Sequence, residues 1–271
     1  MKNYLLPFTL FIVMILNVSL NAQGAFDGYL KRQGQTDLVL SYTHEHYDTY
    51  KFGNEARLES NTTYTGSFFL ASGLSSDRTL VLSIPYISLN GEVEGIQDAI
   101  LGIKKQISSN STGDWTVRKL AALGVSFPLS NYDTDVATPI GQKAVTLQPR
   151  GILQADHRSG AFVMVQPGLD FRMFPDFQVG TAAIGRVGYA GARIYFDVWA
   201  DYFHTFEQGV DLSIGAGQGS SWFKAGFNLY TPLAKGFGLI AGGGKLFYGR
   251  NIGLAWNLRG GIVYSITKKG S

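Results

Sequence analysis

The amino-acid sequence is rich in glycine and aromatic residues and poor in charge. It has 271 residues, with 34 glycines, 18 phenylalanines, 14 tyrosines and no cysteine, and charged residues make up 16%. Average usage is about 7% glycine and about 25% charged residues. This composition excludes a disordered chain, which needs few aromatics and a high net charge. The absence of cysteine excludes a disulfide scaffold and cysteine-ligated metal sites. A net charge of only +3, without a basic stripe, argues against a nucleic-acid partner.

Residues 1–22 have the pattern of a secretory signal peptide. Lys2 gives a basic start, an apolar run of about twelve residues follows, and Ala22 supplies a small residue before the cleavage site. Cleavage after Ala25 is an alternative. A membrane anchor is disfavoured because a spanning helix needs ~20 apolar residues. Residues 23–271 are therefore predicted to be exported as one domain, without a cysteine for a lipid anchor.

The exported part alternates apolar and polar residues with a period of two, in segments of about 10–14 residues. In residues 36–47, for example, Leu38 and Leu40 fall on one face, and Asp37 and Ser41 on the other. No apolar stripe of helical period persists over three turns, and no run approaches the length of a membrane-spanning helix. The pattern therefore predicts an all-β protein.

Three features favour a transmembrane β-barrel over a soluble β-sandwich, which also alternates. The segments reach the ~9–11 residues that cross a bilayer, whereas soluble strands usually have about 5–6. Their apolar faces end in aromatic residues such as Tyr42, Tyr86 and Tyr264, as in interfacial girdles. Their polar faces carry charges of both signs, which suit a hydrated lumen better than a dry core. Because an open sheet edge is unstable in lipid, the sheet is predicted to close.

The number of strands follows less directly from the turns. Turn-like segments give about thirteen strands, but bacterial single-chain barrels have even numbers. The prediction is therefore a single antiparallel barrel of about twelve strands, with ten to fourteen as the range. The breaks near residues 189–192 and 206–208 are the weakest. Residues 130–142 are the longest connection and are predicted to be an extracellular loop.

Several short glycine-containing motifs recur along the predicted strands. The first comprises Tyr64, Gly73, Leu74 and the sequence Asp77-Arg78-Thr79, followed by Ser83-Ile84-Pro85-Tyr86. Further motifs are Gly95, Asp98 and Gly102-Ile103-Lys104, then Gly124 to Pro128, Ile140-Gly141-Gln142, and Gly249-Arg250-Asn251. Together they resemble an outer-membrane β-barrel family associated with meta-pathway phenol degradation, whose members are often labelled transporters. The resemblance covers most of residues 36–266 and implies a passive channel or uptake protein for small, aromatic or hydrophobic molecules.

The resemblance also implies partners. The outer-membrane bilayer and the barrel-assembly machinery are expected, with a small-molecule solute as the transported partner. The chain departs from outer-membrane habit at its end, where it closes with Lys268, Lys269, Gly270 and Ser271 instead of an aromatic residue. Tyr264 or Ile266 is therefore predicted to act as the assembly signal.

Catalytic, cofactor and metal motifs are weak. The histidines His44 and His46 share a strand face, but no third metal ligand stands at a diagnostic spacing. His157 and His204 lie in short polar clusters that leave an outer-membrane hydrolase as a remote alternative. The glycine runs near residues 215–219 and 242–245 lack a following helix and a P-loop Lys-Ser/Thr pair. The prediction is a non-enzyme with no cofactor and no metal.

The charged residues on the polar faces are the predicted lumen lining. They are Asp98, Lys104, Arg118, Arg150, Asp170, Arg172, Arg193, Asp197, Asp201, Lys224 and Arg259, with Asp37, Glu45 and Asp211 as further members. Interleaved opposite charges are expected to pair laterally and narrow the pore. Arg118, Arg150 and Arg172 on consecutive strands suggest a basic ladder that favours anions. Two functions stay open, a passive channel and a closed structural or surface-interaction barrel.

Overall fold

The computed structural model describes residues 26–53, 55–133, 140–175, 177–206 and 219–268. The predicted signal peptide (residues 1–22), the middle of the predicted loop 130–142 and Asp211 lie outside the described residues. No helix in the described part of the chain is long and apolar enough to cross a membrane.

The described chain consists of β-strands joined by turns and loops. The strands are β1 (Gln35–Phe52), β2 (Glu55–Ser75), β3 (Arg78–Leu89), β4 (Val93–Ile96), β5 (Asp98–Thr112), β6 (Trp115–Pro128), β7 (Val145–His157), β8 (Ala161–Phe174), β9 (Gln178–Ala190), β10 (Tyr195–Phe206), β11 (Ser221–Pro232), β12 (Phe237–Arg250), β13 (Ile252–Gly253) and β14 (Trp256–Thr267). Most are far longer than the ~5–6 residues usual in soluble sheets, which agrees with the sequence prediction.

The sheet is antiparallel and closes on itself. In the order β1, β2, β3, β5 to β12 and β14, each strand pairs with the next, and β14 pairs with β1. Strands β4 and β5 lie end to end along β3, and β13 and β14 lie end to end along β1. The result is a closed barrel of twelve strands. The predicted fold class and strand number are confirmed.

Proline explains why β4 and β5 are separate pieces. Strand β3 pairs with β5 up to Ser83 and with β4 from Tyr86 onward, so the ladder is interrupted at Pro85. Proline has no N–H to donate to a ladder. The Pro85 carbonyl still accepts a hydrogen bond from the Gln97 N–H at 2.9 Å, which keeps the two pieces in line.

The surplus strand of the sequence prediction lay between β10 and β11. Those two strands pair directly from Tyr195↔Tyr230 to His204↔Ser221, and residues 207–218 connect them outside the described residues. The break near 189–192 is real, because residues 191–194 form the turn between β9 and β10.

The two ends of the barrel differ in the length of their connections. At one end, the short-turn end, β1 begins and β14 ends, and the hairpins β2–β3, β5–β6, β7–β8, β9–β10 and β11–β12 turn there. At the other, the loop end, lie the connections 129–144 and 207–220. Outer-membrane barrels have short periplasmic turns and long extracellular loops.

The outer face carries an apolar band between two groups of aromatic residues. Phe237 and Tyr264 are in contact near the short-turn end, with ring centroids 4.7 Å apart. Near the loop end, the His44 ring lies 5.3 Å from both Tyr64 and Trp256. Exposed leucine, isoleucine and valine side chains cover the wall between these groups. This arrangement is the lipid-facing surface of a transmembrane barrel.

Candidate lumen site and its N-terminal segment

A short N-terminal segment (residues 26–34) lies inside the barrel. Phe26 is only 2% exposed and packs with Val81, Ile152 and other side chains of the inner wall. Glycine makes room for the ring, since a Cβ on Gly102 would lie 2.4 Å from Phe26 Cζ and one on Gly124 3.1 Å from it. The segment then runs to the start of β1, so it fills one side of the lumen.

Lys104 anchors this segment from the wall. Its buried ammonium donates to the Asp27 carboxylate, to the Asp27 carbonyl at 3.2 Å and to the Tyr29 carbonyl. All three ammonium protons therefore have acceptors, which a buried lysine requires. Lys104 was predicted to line the lumen, and the structure gives it this anchoring contact.

Tyr29 and Lys31 extend the contact between segment and wall. The Tyr29 hydroxyl donates to Asp156 at 3.3 Å, and Asp156 also accepts from Arg118 Nε at 3.1 Å. The Arg118 guanidinium lies 5.3 Å from the centre of the Tyr29 ring, within cation–π range. Lys31 forms an ion pair with Asp37. The segment is thus held by both packing and charge.

Arg150 fills a gap in the hydrogen bonding between β7 and β8. The ladder between β7 and β8 is incomplete around Pro149 and the residues opposite it. Arg150 Nη1 donates to the carbonyls of Pro149 at 3.0 Å and Leu169 at 2.5 Å, and the guanidinium pairs with Asp170. Arg150 therefore satisfies backbone acceptors that an unbroken ladder would satisfy.

Asp197 is the centre of a buried network on β9, β10 and β11. Its carboxylate accepts from Arg186 Nη1 at 3.2 Å, from Asn228 Nδ2 at 2.6 Å and from the Tyr195 hydroxyl. The Asn228 oxygen accepts from Arg259 Nη2 at 2.6 Å. One amide thus lies between the carboxylate and the second guanidinium.

Nearer the loop end, Asp201 and Lys224 stand opposite each other on β10 and β11. The Lys224 ammonium lies 4.9 Å from the centre of the Trp222 ring. Glu45 is buried on β1 and accepts a long hydrogen bond of 3.4 Å from Asn257 Nδ2. Polar groups therefore continue along this side of the wall.

Two residues that were predicted to line the lumen, Asp98 and Arg193, lie next to connections between strands. Asp98 accepts from the Tyr132 hydroxyl and from the Ala144 N–H at 3.4 Å, so it anchors the connection 129–144. Burial, with the Asp98 carboxylate beside it, raises the pKa of the Tyr132 phenol. Arg193 lies in the exposed turn between β9 and β10, not on the strand where the alternation had placed it. The sequence prediction had extended the alternation of β10 backward through this turn to Arg193.

The predicted basic ladder of Arg118, Arg150 and Arg172 contains ion pairs with carboxylates. Arg118 pairs with Asp156, and Arg150 pairs with Asp170. Arg172 stands on β8 opposite Thr146. The opposite charges on neighbouring strands pair laterally, as the interleaving suggested. Lining of a conducting lumen by the predicted set stays a prediction.

Sequence reasoning missed several of the residues that shape the lumen. Asp27, Tyr29 and Lys31 precede the first alternating segment and show no period of their own. Arg186 stands between glycines in β9, where small residues hide the alternation. The available signal was the cluster of aromatic and charged residues that directly precedes the first strand.

Comparisons with known proteins identify the fold. The chain is similar to the COG4313 outer membrane channel from Pseudomonas putida F1, with a TM-score of 0.70 and 14% identity over 89% of this chain and 98% of that one. It is also similar to the NanC porin, with a TM-score of 0.53 and 12% identity over 83% of this chain and 98% of that one. No protein-family model and no curated protein matches. The chain therefore has the fold of the bacterial outer-membrane β-barrels.

Proposed function

We propose that this protein is a passive channel for small molecules in the bacterial outer membrane. The observation that carries the proposal is the exposure of a charged side chain beside the N-terminal segment. The Asp27 side chain is 45% exposed, although it bonds to a buried lysine in the middle of β5. We infer that space for water and small solutes extends to this level of the barrel.

We place the path of the solute along one side of the lumen. The N-terminal segment packs against β3, β5, β6, β7 and β8, and its Tyr29 ring also lies against Tyr195 on β10. The inner faces of β11, β12 and β14, with Lys224 and Arg259, are the part of the wall that we assign to the path. A narrow, off-centre channel of this kind passes small solutes and excludes large ones. The proposal assigns no catalytic role.

Export and assembly complete the proposal. The signal peptide (residues 1–22) is removed, the barrel-assembly machinery inserts residues 23–271, and the N-terminal segment enters the lumen from the periplasmic, short-turn side. The motif resemblance to the phenol meta-pathway family supports small aromatic or hydrophobic solutes as cargo.

A closed structural barrel is the second candidate. Its support is the N-terminal segment itself, because the buried Phe26 and the Lys104 anchor occupy one side of the lumen. The two functions differ in whether solutes cross.

Liposome swelling with small sugars and organic acids separates the candidates. The wild-type protein is expected to give slow, size-limited swelling. Lys104→Met removes the anchor of the N-terminal segment and is expected to increase the rate. If proteoliposomes with correctly inserted protein swell no faster than empty ones, for both wild type and Lys104→Met, the channel is refuted and the closed barrel is supported.

A further inference from the structure

Most of the lysine and arginine side chains described in the lumen form ion pairs with carboxylates. Five ion pairs tie Lys31 to Asp37, Lys104 to Asp27, Arg118 to Asp156, Arg150 to Asp170, and Arg186 to Asp197. These pairs hold the N-terminal segment and the wall together. Arg259 belongs to none of these ion pairs.

Arg259 faces the lumen without an acidic partner. No carboxylate of the described residues lies within 4.0 Å of its guanidinium. Its hydrogen bond goes to the neutral Asn228 oxygen, and its buried Nε has no acceptor among the described atoms. An unpaired guanidinium in a partly desolvated site attracts anions strongly.

The acid of this network, Asp197, forms no ion pair with Arg259. Asp197 already accepts from Arg186, Tyr195 and Asn228. The Asn228 amide donates to Asp197 and presents its oxygen to Arg259, which fixes the amide orientation and keeps the two charged groups apart. The network therefore holds the guanidinium in place through a neutral amide and not through a direct carboxylate contact.

A glycine in the wall lets Arg259 reach across β12. The guanidinium crosses Gly242 on β12 to reach Asn228 on β11, and a Cβ on Gly242 would lie 3.0 Å from Arg259 Nη2. One residue pair further toward the short-turn end, Tyr195 and Tyr230 stand opposite each other, both only partly buried. The repeat along a strand places this tyrosine pair roughly 7 Å from the level of Asn228.

We propose that Arg259 is an anion subsite of the channel, and that it takes the carboxylate of a small aromatic acid. The guanidinium accepts the carboxylate through charge-assisted hydrogen bonds. The aromatic ring of the ligand then points toward Tyr195 and Tyr230. This inference rests on the proposed channel function and names the class of solute that the lumen retains.

Equilibrium dialysis tests the subsite directly. The purified full-length mature protein in detergent is dialysed against radiolabelled benzoate, with the neutral benzamide as the ligand control. The wild type is expected to bind benzoate saturably and at least about tenfold more tightly than Arg259→Gln does, a loss typical of one charge-assisted contact. Arg193→Gln makes the same chemical change in an exposed turn and is expected to bind as the wild type does.

A second variant and a second measurement keep the test decisive. Arg259→Lys keeps the charge but loses the planar fork, so an intermediate affinity is expected, and heat-modifiable migration on gels verifies that each variant is folded. Equal benzoate affinity in wild type and Arg259→Gln, equal affinity for benzamide, or no saturable binding by the wild type would overturn the subsite. Conductance of the same samples separates the two proposals. Binding without conductance refutes the channel alone, and conductance without Arg259-dependent binding refutes the subsite alone.

Discussion

Removing the Phe26 ring is expected to release the N-terminal segment from the wall. The ring is 2% exposed and packs among Val81, Leu120, Ala122, Ile152 and Met164. Truncating a well-packed phenylalanine to alanine costs about 3–5 kcal/mol. Because about 1.4 kcal/mol corresponds to a factor of ten, Phe26→Ala should raise the undocked population at least about a hundredfold.

A buried thiol placed under the segment measures that population. Thr79 is 0% exposed and accepts a hydrogen bond from the Lys31 N–H at 2.9 Å. The chain has no cysteine, so Thr79→Cys introduces a single reporter at this point. A water-soluble thiol reagent should modify it slowly in the otherwise wild-type protein and at least about a hundredfold faster with Phe26→Ala.

Two further variants test whether the lost packing of Phe26 causes the faster labelling. Phe196→Ala removes a ring that is 43% exposed on the outer face and should leave the labelling rate unchanged. Gly102→Val fills the space under Phe26 and should act as Phe26→Ala does, because a Cβ there meets the ring at 2.4 Å. Equal labelling rates with and without Phe26→Ala would refute the docking of the N-terminal segment.

The remaining predictions concern the wall. Leu123→Arg should destabilise the barrel by about 2–4 kcal/mol in urea unfolding from liposomes, because the side chain faces lipid near the midplane; an unchanged midpoint contradicts that orientation. A cysteine scan along residues 116–128, read with a water-soluble thiol reagent, should label the inward positions that the N-terminal segment leaves uncovered, such as Arg118 and Ser126, and spare the outward ones; uniform labelling contradicts a membrane-spanning strand. Arg150→Gln should cost about 1–3 kcal/mol by leaving Asp170 and backbone carbonyls unsatisfied, whereas Arg259→Gln should cost less because its partner is a neutral amide. Equal costs for the two variants contradict the structural role of Arg150.

The strands were predictable because the signal for them is local. A strand in a barrel wall faces lipid on one side and the lumen on the other, so its sequence must alternate with a period of two. Closure followed from the cost of an open edge in lipid. The same reasoning failed at Arg193, because a turn interrupts alternation without changing the residue types that carry it.

The lumen site was predictable only in outline. Alternation placed Arg118 on a polar face, but its pairing with Asp156 depends on the register of β6 against β7, which is a tertiary property. The N-terminal segment was missed for a similar reason, since Phe26 and Tyr29 are positioned by several distant strands and not by a repeat of their own. The neutral partner of the Arg259 guanidinium depends on the orientation of the Asn228 amide, which no sequence pattern specifies.

Single-channel recording tests the central claim most directly. Purified protein spanning residues 23–271 is inserted into planar bilayers and compared with a variant that lacks residues 26–33. The account predicts small, discrete current steps for the full mature chain and larger steps after removal of the N-terminal segment, because the segment fills one side of the lumen. Inserted, heat-modifiable protein that gives no current steps in either form would contradict a channel.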